Sequence, residues 1–100
     1  MDQPRPTDFR PAPTPFGLVD ALSHARRAMA TITDQPIDAV PSCTRGDDGI
    51  WRVRIDVIEV PARMGDNDLL AVYEVEIAPG GDLAGFRRLA RYHREDGDGF

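Results

Sequence analysis

The chain of 100 residues contains no lysine, since all 12 of its basic residues are arginine, and it has one cysteine, Cys43. A single cysteine cannot form an intrachain disulfide, which indicates a reduced thiol in the cytoplasm. No apolar run approaches the roughly 18 residues of a membrane-spanning helix, and the N-terminus lacks the apolar segment of a signal peptide. We therefore expect one small, soluble, cytoplasmic domain.

Histidine is also scarce, and His24 and His93 stand apart from each other and from Cys43. A structural metal site needs several such ligands at set spacings, which the chain lacks. The closing letters DGDGF have neither the acidic ladder nor the final glutamate of a calcium loop. No Gly-x-Ser-x-Gly motif or glycine-rich phosphate loop occurs. The sequence therefore predicts no catalytic, cofactor-binding or metal-binding residues.

Proline content and hydrophobic spacing divide the chain into three parts. Residues 1–14 hold four prolines among polar neighbours, which predicts a flexible tail. Residues 15–94 form a single domain, and residues 95–100 form a frayed, acidic C-terminus. The domain begins with an amphipathic helix that Thr14 caps and Pro15 starts. The apolar stripe of this helix consists of Leu18, Leu22, Ala25, Met29 and Ile32.

Alternation of apolar and polar residues predicts strands in the rest of the domain. Residues 37–43 form a short edge strand that Pro41 makes irregular. The segments IWRVRIDVIEV and LLAVYEVEI each present one apolar face, and a turn at APGGDL, with positive φ at Gly80 or Gly81, leads into LAGFRRLARYHR. The prediction is an α+β fold. One N-terminal helix packs on a three- to four-stranded antiparallel meander, in the two-layer shape of PepSY-type and cystatin-like domains.

Four arginines fall within residues 86–94 of a chain whose formal net charge is -5. Strict alternation places Arg88 and Arg94 on one face of the last strand with Tyr92, and Arg87 and Arg91 on the other. One interpretation is that these arginines neutralise acidic residues of the neighbouring strands, because opposite charges across a sheet attract, with ~0.2–1 kcal/mol per pair.

The other interpretation of the same strand is partner binding. Arginine and tyrosine are favoured interface residues, and an edge strand can accept a strand of another protein. The partner-binding candidates are Arg87, Arg88, Arg91, Tyr92 and Arg94. A second candidate is an ion pair between Glu59 and Arg63. It either fastens the loop after the strand that Pro61 ends or forms a recognition site there.

The order of these features resembles the gas vesicle accessory protein O (GvpO) family. The resemblance covers about residues 49–94, and more loosely the helix before them. The matching positions are Gly49 and Trp51, Glu59 and Arg63, Asp68 to Val75, Gly80 or Gly81, and Arg91, Tyr92 and Arg94. The resemblance implies a cytoplasmic, non-enzymatic accessory factor that helps to build gas vesicles, which are gas-filled protein shells made mainly of a small hydrophobic protein.

We therefore expect the protein to bind other gas vesicle proteins, with the hydrophobic shell subunit as one candidate, and to need no cofactor. An alternative is a small-molecule-binding or catalytic domain whose pocket between helix and sheet is lined by Trp51, Tyr73 and Phe86. A third hypothesis is a regulatory nucleic-acid binder. The isoelectric point of about 4.8 disfavours it, because nucleic-acid binding needs a broad positive surface.

Overall fold

A computed structural model, which describes residues 16–99, shows one α-helix and a four-stranded antiparallel sheet. The strands lie side by side in chain order, so the sheet is a simple meander. This arrangement confirms the predicted α+β fold. The elements are α1 Leu18–Ile32, β1 Ile37–Arg45, β2 Trp51–Val60, β3 Leu69–Ile77, β4 Leu83–His93 and a 3₁₀ helix at Arg94–Gly99.

The helix α1 begins after Gly17, whose N–H group donates a hydrogen bond of 2.9 Å to the carboxylate of Asp20. Asp20 also places a negative charge in the first turn, where the helix dipole favours it. The predicted start at Thr14 and Pro15 lies outside the described residues, as does the predicted tail of residues 1–14. At the other end, Thr33 donates its N–H to the carbonyl of Met29, and the helix stops there.

The core lies between α1 and one face of the sheet. Ala21, Ala25 and Met29 are buried on the helix, whereas Leu18, predicted on the apolar stripe, is half exposed. The buried strand residues on this face are Val53, Ile55, Val57, Ala71, Val75 and Ile77. Small alanines on the helix bring its backbone close to the sheet, so most of the apolar area of β2 and β3 leaves water, which stabilises the fold.

The hairpin between β3 and β4 is attached to the helix through its turn. Gly81 has a φ of 102°, and its N–H donates to the carbonyl of Ala78. Its own carbonyl lies 2.9 Å from Nδ1 of His24. Because a carbonyl only accepts, Nδ1 carries the proton in this contact. A side chain at Gly81 would collide with the His24 ring, so the turn requires glycine for both conformation and space.

Both edge strands depart from regular pairing. β1 is longer than predicted and irregular as predicted, since its register shifts twice between Ile37 and Ser42, around Pro41. In β4 the register shifts at Ala84 and at Leu89, where one extra residue is inserted in each case. The predicted frayed segment of residues 95–100 falls largely in the 3₁₀ helix. Among the described residues, no helix is long and apolar enough to cross a membrane.

Candidate functional site

The arginine-rich strand β4 lies at one edge of the sheet. The bulge at Leu89 changes the predicted distribution of its side chains. Arg88 and Arg91 stand opposite Tyr73 and Ala71, on the face that α1 covers elsewhere, whereas Tyr92 stands opposite Leu70 on the other face, which we call the open face. The prediction that Arg88 and Arg91 point to opposite faces is therefore wrong, because strict alternation cannot hold across an inserted residue.

Arg87 pairs with a buried glutamate on the open face. Its guanidinium lies 3.1 Å from the Glu74 carboxylate, which also lies 3.9 Å from Arg54 of β2. The side chain of Glu74 is 12% exposed and that of Arg87 is 71% exposed. Glu76 makes no pair with β4, because Gly85 stands opposite it, and it binds Arg52 instead.

Glu59 binds two arginines of β4 at once. Its carboxylate lies 2.7 Å from Arg91 and 3.4 Å from Arg88, across the intervening strand β3. The side chain of Glu59 is 18% exposed, while those of Arg88 and Arg91 are about half exposed, at 47% and 49%. The predicted pair with Arg63 does not form, and Arg63 is exposed in the loop. A bulge in β2 between Ile58 and Val60 turns Glu59 toward β4.

Tyr92 contributes a polar contact on the open face. Its hydroxyl donates a hydrogen bond of 3.3 Å to the carboxylate of Asp56 on β2, beside the buried side chains of Leu70 and Val72. Burial raises the pKa of Asp56, and the hydrogen bond from Tyr92 opposes that rise. Burial likewise raises the pKa of the Tyr92 hydroxyl, as does the negative charge of Asp56. No local pattern of residues predicts this pair, since its members lie on the non-adjacent strands β2 and β4.

Arg94, just after β4, joins two distant parts of the chain. It lies 2.9 Å from Asp38 on β1 and 2.9 Å from Asp68 in the loop before β3. These hydrogen bonds raise the pKa of Arg94. A hydrogen bond from the Ala62 N–H, together with Arg94, lowers the pKa of Asp68. Two aspartates therefore hold the Arg94 side chain, and it supports β4 more than it presents charge to solvent.

The aromatic residues of the pocket hypothesis do not converge. Trp51 and Tyr73 pack against the buried core, whereas Phe86 is half exposed and lines an open groove of about 450 Å³ together with Arg52, Glu74, Glu76, Gly85 and Arg87. The groove is polar and lies on the sheet surface, not between helix and sheet. In the described part of the chain, no three His, Cys, Asp or Glu side chains come together as a possible metal site.

The comparisons with known proteins agree with the resemblance noted above. The family model described as gas vesicle synthesis protein GvpO matches residues 5–98. Gas vesicle protein O of a Streptomyces strain is 37% identical over 90 residues, covering 89% of this chain and 69% of the relative. Gas vesicle protein O1 of Halobacterium salinarum is 29% identical over 97 residues, covering 95% and 81% respectively.

A third relative, gas vesicle protein O of Haloferax mediterranei, is 26% identical over 81 residues, covering 81% of this chain and 58% of the relative. No solved structure matches the chain. The family model spans the helix and all four strands, including every candidate residue on β4. The chain therefore belongs to the gas vesicle synthesis protein GvpO family.

Proposed function

We propose that this protein is a non-catalytic accessory factor that binds other gas vesicle proteins while the vesicle shell is built. The observation that carries the proposal is the family match over residues 5–98, which covers the helix and the whole sheet. Membership of a family of gas vesicle synthesis proteins supports a role in gas vesicle formation. We place this role in the cytoplasm, where a free thiol such as Cys43 stays reduced.

The binding surface in this proposal is β4. The side chains of Arg87, Arg88 and Arg91 are 71%, 47% and 49% exposed, while their glutamate partners are mostly buried. Phe86, next to them, is half exposed and offers apolar area in the middle of the charged strand. Arginines around an exposed aromatic ring are typical of protein-binding surfaces.

Tyr92 and Arg94, which the sequence also places on this surface, have a structural role. Both bind aspartates of the same chain, so we assign them to holding the C-terminal half of β4 against the sheet.

The hydrophobic shell subunit is a candidate partner, because a shell protein needs its apolar surface shielded until it is incorporated. No observation favours a small-molecule pocket at Trp51, Tyr73 and Phe86, and the net charge of -5 remains unfavourable for nucleic acid.

The test is a gas vesicle gene set expressed with and without this chain in the same host. We expect vesicles with it and none, or few and misshapen ones, without it, as seen by electron microscopy. Affinity capture of the tagged protein from the expressing cells should retain at least one other gas vesicle protein. Normal vesicles in its absence would overturn the role in assembly. Turnover of a small molecule by the purified protein, abolished by mutation of a residue outside β4, would indicate a catalytic function instead.

A further inference from the structure

Of the described strands, β4 pairs with β3 alone, so its outer backbone edge is open to another strand. An edge of this kind can be extended by a segment of a second protein through main-chain hydrogen bonds. The opposite edge, β1, suits this less, because Pro41 has no N–H group and the register is irregular around it. The two bulges of β4 leave regular stretches at residues 85–88 and 90–93.

Around the middle of β4, arginines outnumber the glutamates of β2 and β3 that pair with them. Two groups of ionised residues there each combine two arginines with one glutamate. They are Arg54 and Arg87 with Glu74, and Arg88 and Arg91 with Glu59. Each group therefore keeps one uncompensated positive charge. The glutamates are the more buried members, so an approaching molecule meets guanidinium groups and not carboxylates.

The charge has the opposite sign at the two ends of the strand. There, two groups each combine one arginine with two acids. They are Arg52 with Asp48 and Glu76, and Arg94 with Asp38 and Asp68. A chain of net charge -5 thus has a local positive segment of residues 86–91, bounded by negative groups, along an open sheet edge. This pattern favours a negatively charged ligand, and it limits the acidic part of that ligand to the length of residues 86–91.

We infer that the edge of β4 receives an extended, acidic segment of a partner protein as an additional strand, with acidic residues at its centre and an apolar residue beside Phe86. The inference rests on the proposed function, since the partner is one of the proteins that this factor binds. Main-chain hydrogen bonds supply affinity, and the pairing of acids with Arg87, Arg88 and Arg91 supplies the selectivity.

A second copy of this chain is a poor occupant of the same edge. Antiparallel pairing of two β4 strands brings the arginine-rich centres together, and like charges directly opposite are destabilising. The bulges at Ala84 and Leu89 also interrupt the long regular ladder that two identical edges need. The occupant is therefore a different, acidic chain.

The experiment uses the full-length protein and a capped synthetic peptide as long as β4, with glutamates at its central positions and valine and threonine elsewhere. One control peptide replaces every glutamate by glutamine. The other keeps the glutamates and has a central proline, which removes a main-chain donor and resists the extended pairing. Binding is followed by backbone amide chemical shifts and by hydrogen exchange along residues 83–93.

We expect the acidic peptide to shift and protect the amides of β4 and the two control peptides to bind more weakly. Replacing Arg87, Arg88 and Arg91 together by glutamine should weaken binding by about tenfold, since three exposed charge pairs are lost. The matched control is R26Q/R27Q/R63Q, which removes the same charge from exposed arginines away from β4. Circular dichroism checks that both triple variants are folded.

Several outcomes would overturn the inference. Equal binding of the glutamine peptide excludes the role of charge, and equal binding of the proline peptide excludes strand addition. A concentration-dependent dimer that protects β4 in sedimentation and exchange experiments makes a second copy the occupant. Tighter binding of a single-stranded oligonucleotide by the same arginines makes nucleic acid the ligand. If the peptide fails while vesicles still depend on the protein, the inference is wrong and the proposed function stands.

Discussion

The carboxylate of Glu59 on β2 lies 2.7 Å from Nε of Arg91 on β4, so this ion pair passes over the intervening strand β3. It can do so because Ala71, the residue of β3 opposite both Val57 and Arg91, has a side chain too small to block it. The same carboxylate reaches Arg88. Glu59 thus holds two edge arginines on one face of the sheet, at the place where α1 leaves that face uncovered.

Replacing Glu59 by glutamine should leave the fold nearly as stable and make β4 more positive. We expect the free energy of unfolding to fall by about 1 kcal/mol or less, because the arginines in both pairs are half exposed. The acidic peptide should bind a few-fold more tightly, since one competing carboxylate is gone. Urea unfolding and peptide titration check the two effects. E76Q is the control, because its partner Arg52 still has an ion pair with Asp48 after the change. Weaker binding of the peptide to E59Q would contradict the prediction.

Met29 is the largest side chain that the helix contributes to the core. It is 1% exposed and packs on the buried face of the sheet. We expect M29A to lower the free energy of unfolding by about 2–5 kcal/mol, from lost burial and a residual cavity. M64A is the matched control, since Met64 is 87% exposed in a loop and should change stability by less than about 0.5 kcal/mol. Similar urea midpoints for the two variants would refute this view of the core.

Two neighbouring glycines in the β3–β4 turn should respond differently to alanine. A Cβ at Gly81 would lie 2.8 Å from the His24 ring, and its φ of 102° is unfavourable for alanine, so G81A should cost about 1–3 kcal/mol. A Cβ at Gly80 meets nothing within 4 Å, and G80A should be near neutral. Thermal unfolding of both variants provides the comparison. Equal losses would mean that contact with the helix does not fix this turn.

The Tyr92–Asp56 pair should make stability depend on pH. Burial raises the pKa of Asp56, so the folded state holds a proton more tightly than the unfolded state does. Between the ordinary and the raised pKa, this carboxyl group therefore stabilises the fold as pH falls and destabilises it as pH rises. Carboxyl carbon NMR of the folded protein should give a pKa for Asp56 above the ordinary value of about 3.9.

Removing the Tyr92 hydroxyl should increase that effect. Y92F takes away a hydrogen bond to the charged carboxylate, so the pKa of Asp56 should rise further, and stability at neutral pH should fall by about 1 kcal/mol. The loss should shrink once acid protonates Asp56. Y73F is the control, since no hydrogen bond of the Tyr73 hydroxyl is found among the described residues. An Asp56 pKa that falls in Y92F would contradict the assigned contact.

The sheet was predictable where local alternation decides the structure. β2 and β3 bury the apolar faces that their alternation predicts, and β3 also buries Leu70 and Val72 on the open face. Pro41 correctly signalled an irregular edge. The contact at the start of the helix leaves little signal in the sequence, because glycine has no side chain that could cap the first turn and only the Gly17 N–H binds Asp20.

The site was predictable in composition and less so in geometry. Pairing of the β4 arginines with acids of neighbouring strands is one of the two interpretations of the sequence, and the pair of Arg87 with Glu74 follows from the hairpin register. The orientation of Arg88 and Arg91 depends on the bulge at Leu89, and a bulge leaves no mark in a pattern of apolar and polar letters. Proximity in sequence predicts Arg63 as the partner of Glu59, whereas the sheet brings the distant Arg88 and Arg91 to this carboxylate.

Arg94 and Asp38 are 56 residues apart in the chain and 2.9 Å apart in space. During synthesis, Asp38 and Asp68 leave the ribosome well before the cation that separates them has emerged, so the two acids first face water without it. The contact of Arg94 with both acids can therefore form only when almost the whole domain has been made, whereas β1 can pair with β2 earlier. Until then, the nascent chain remains available to chaperones and to any partner that binds during translation.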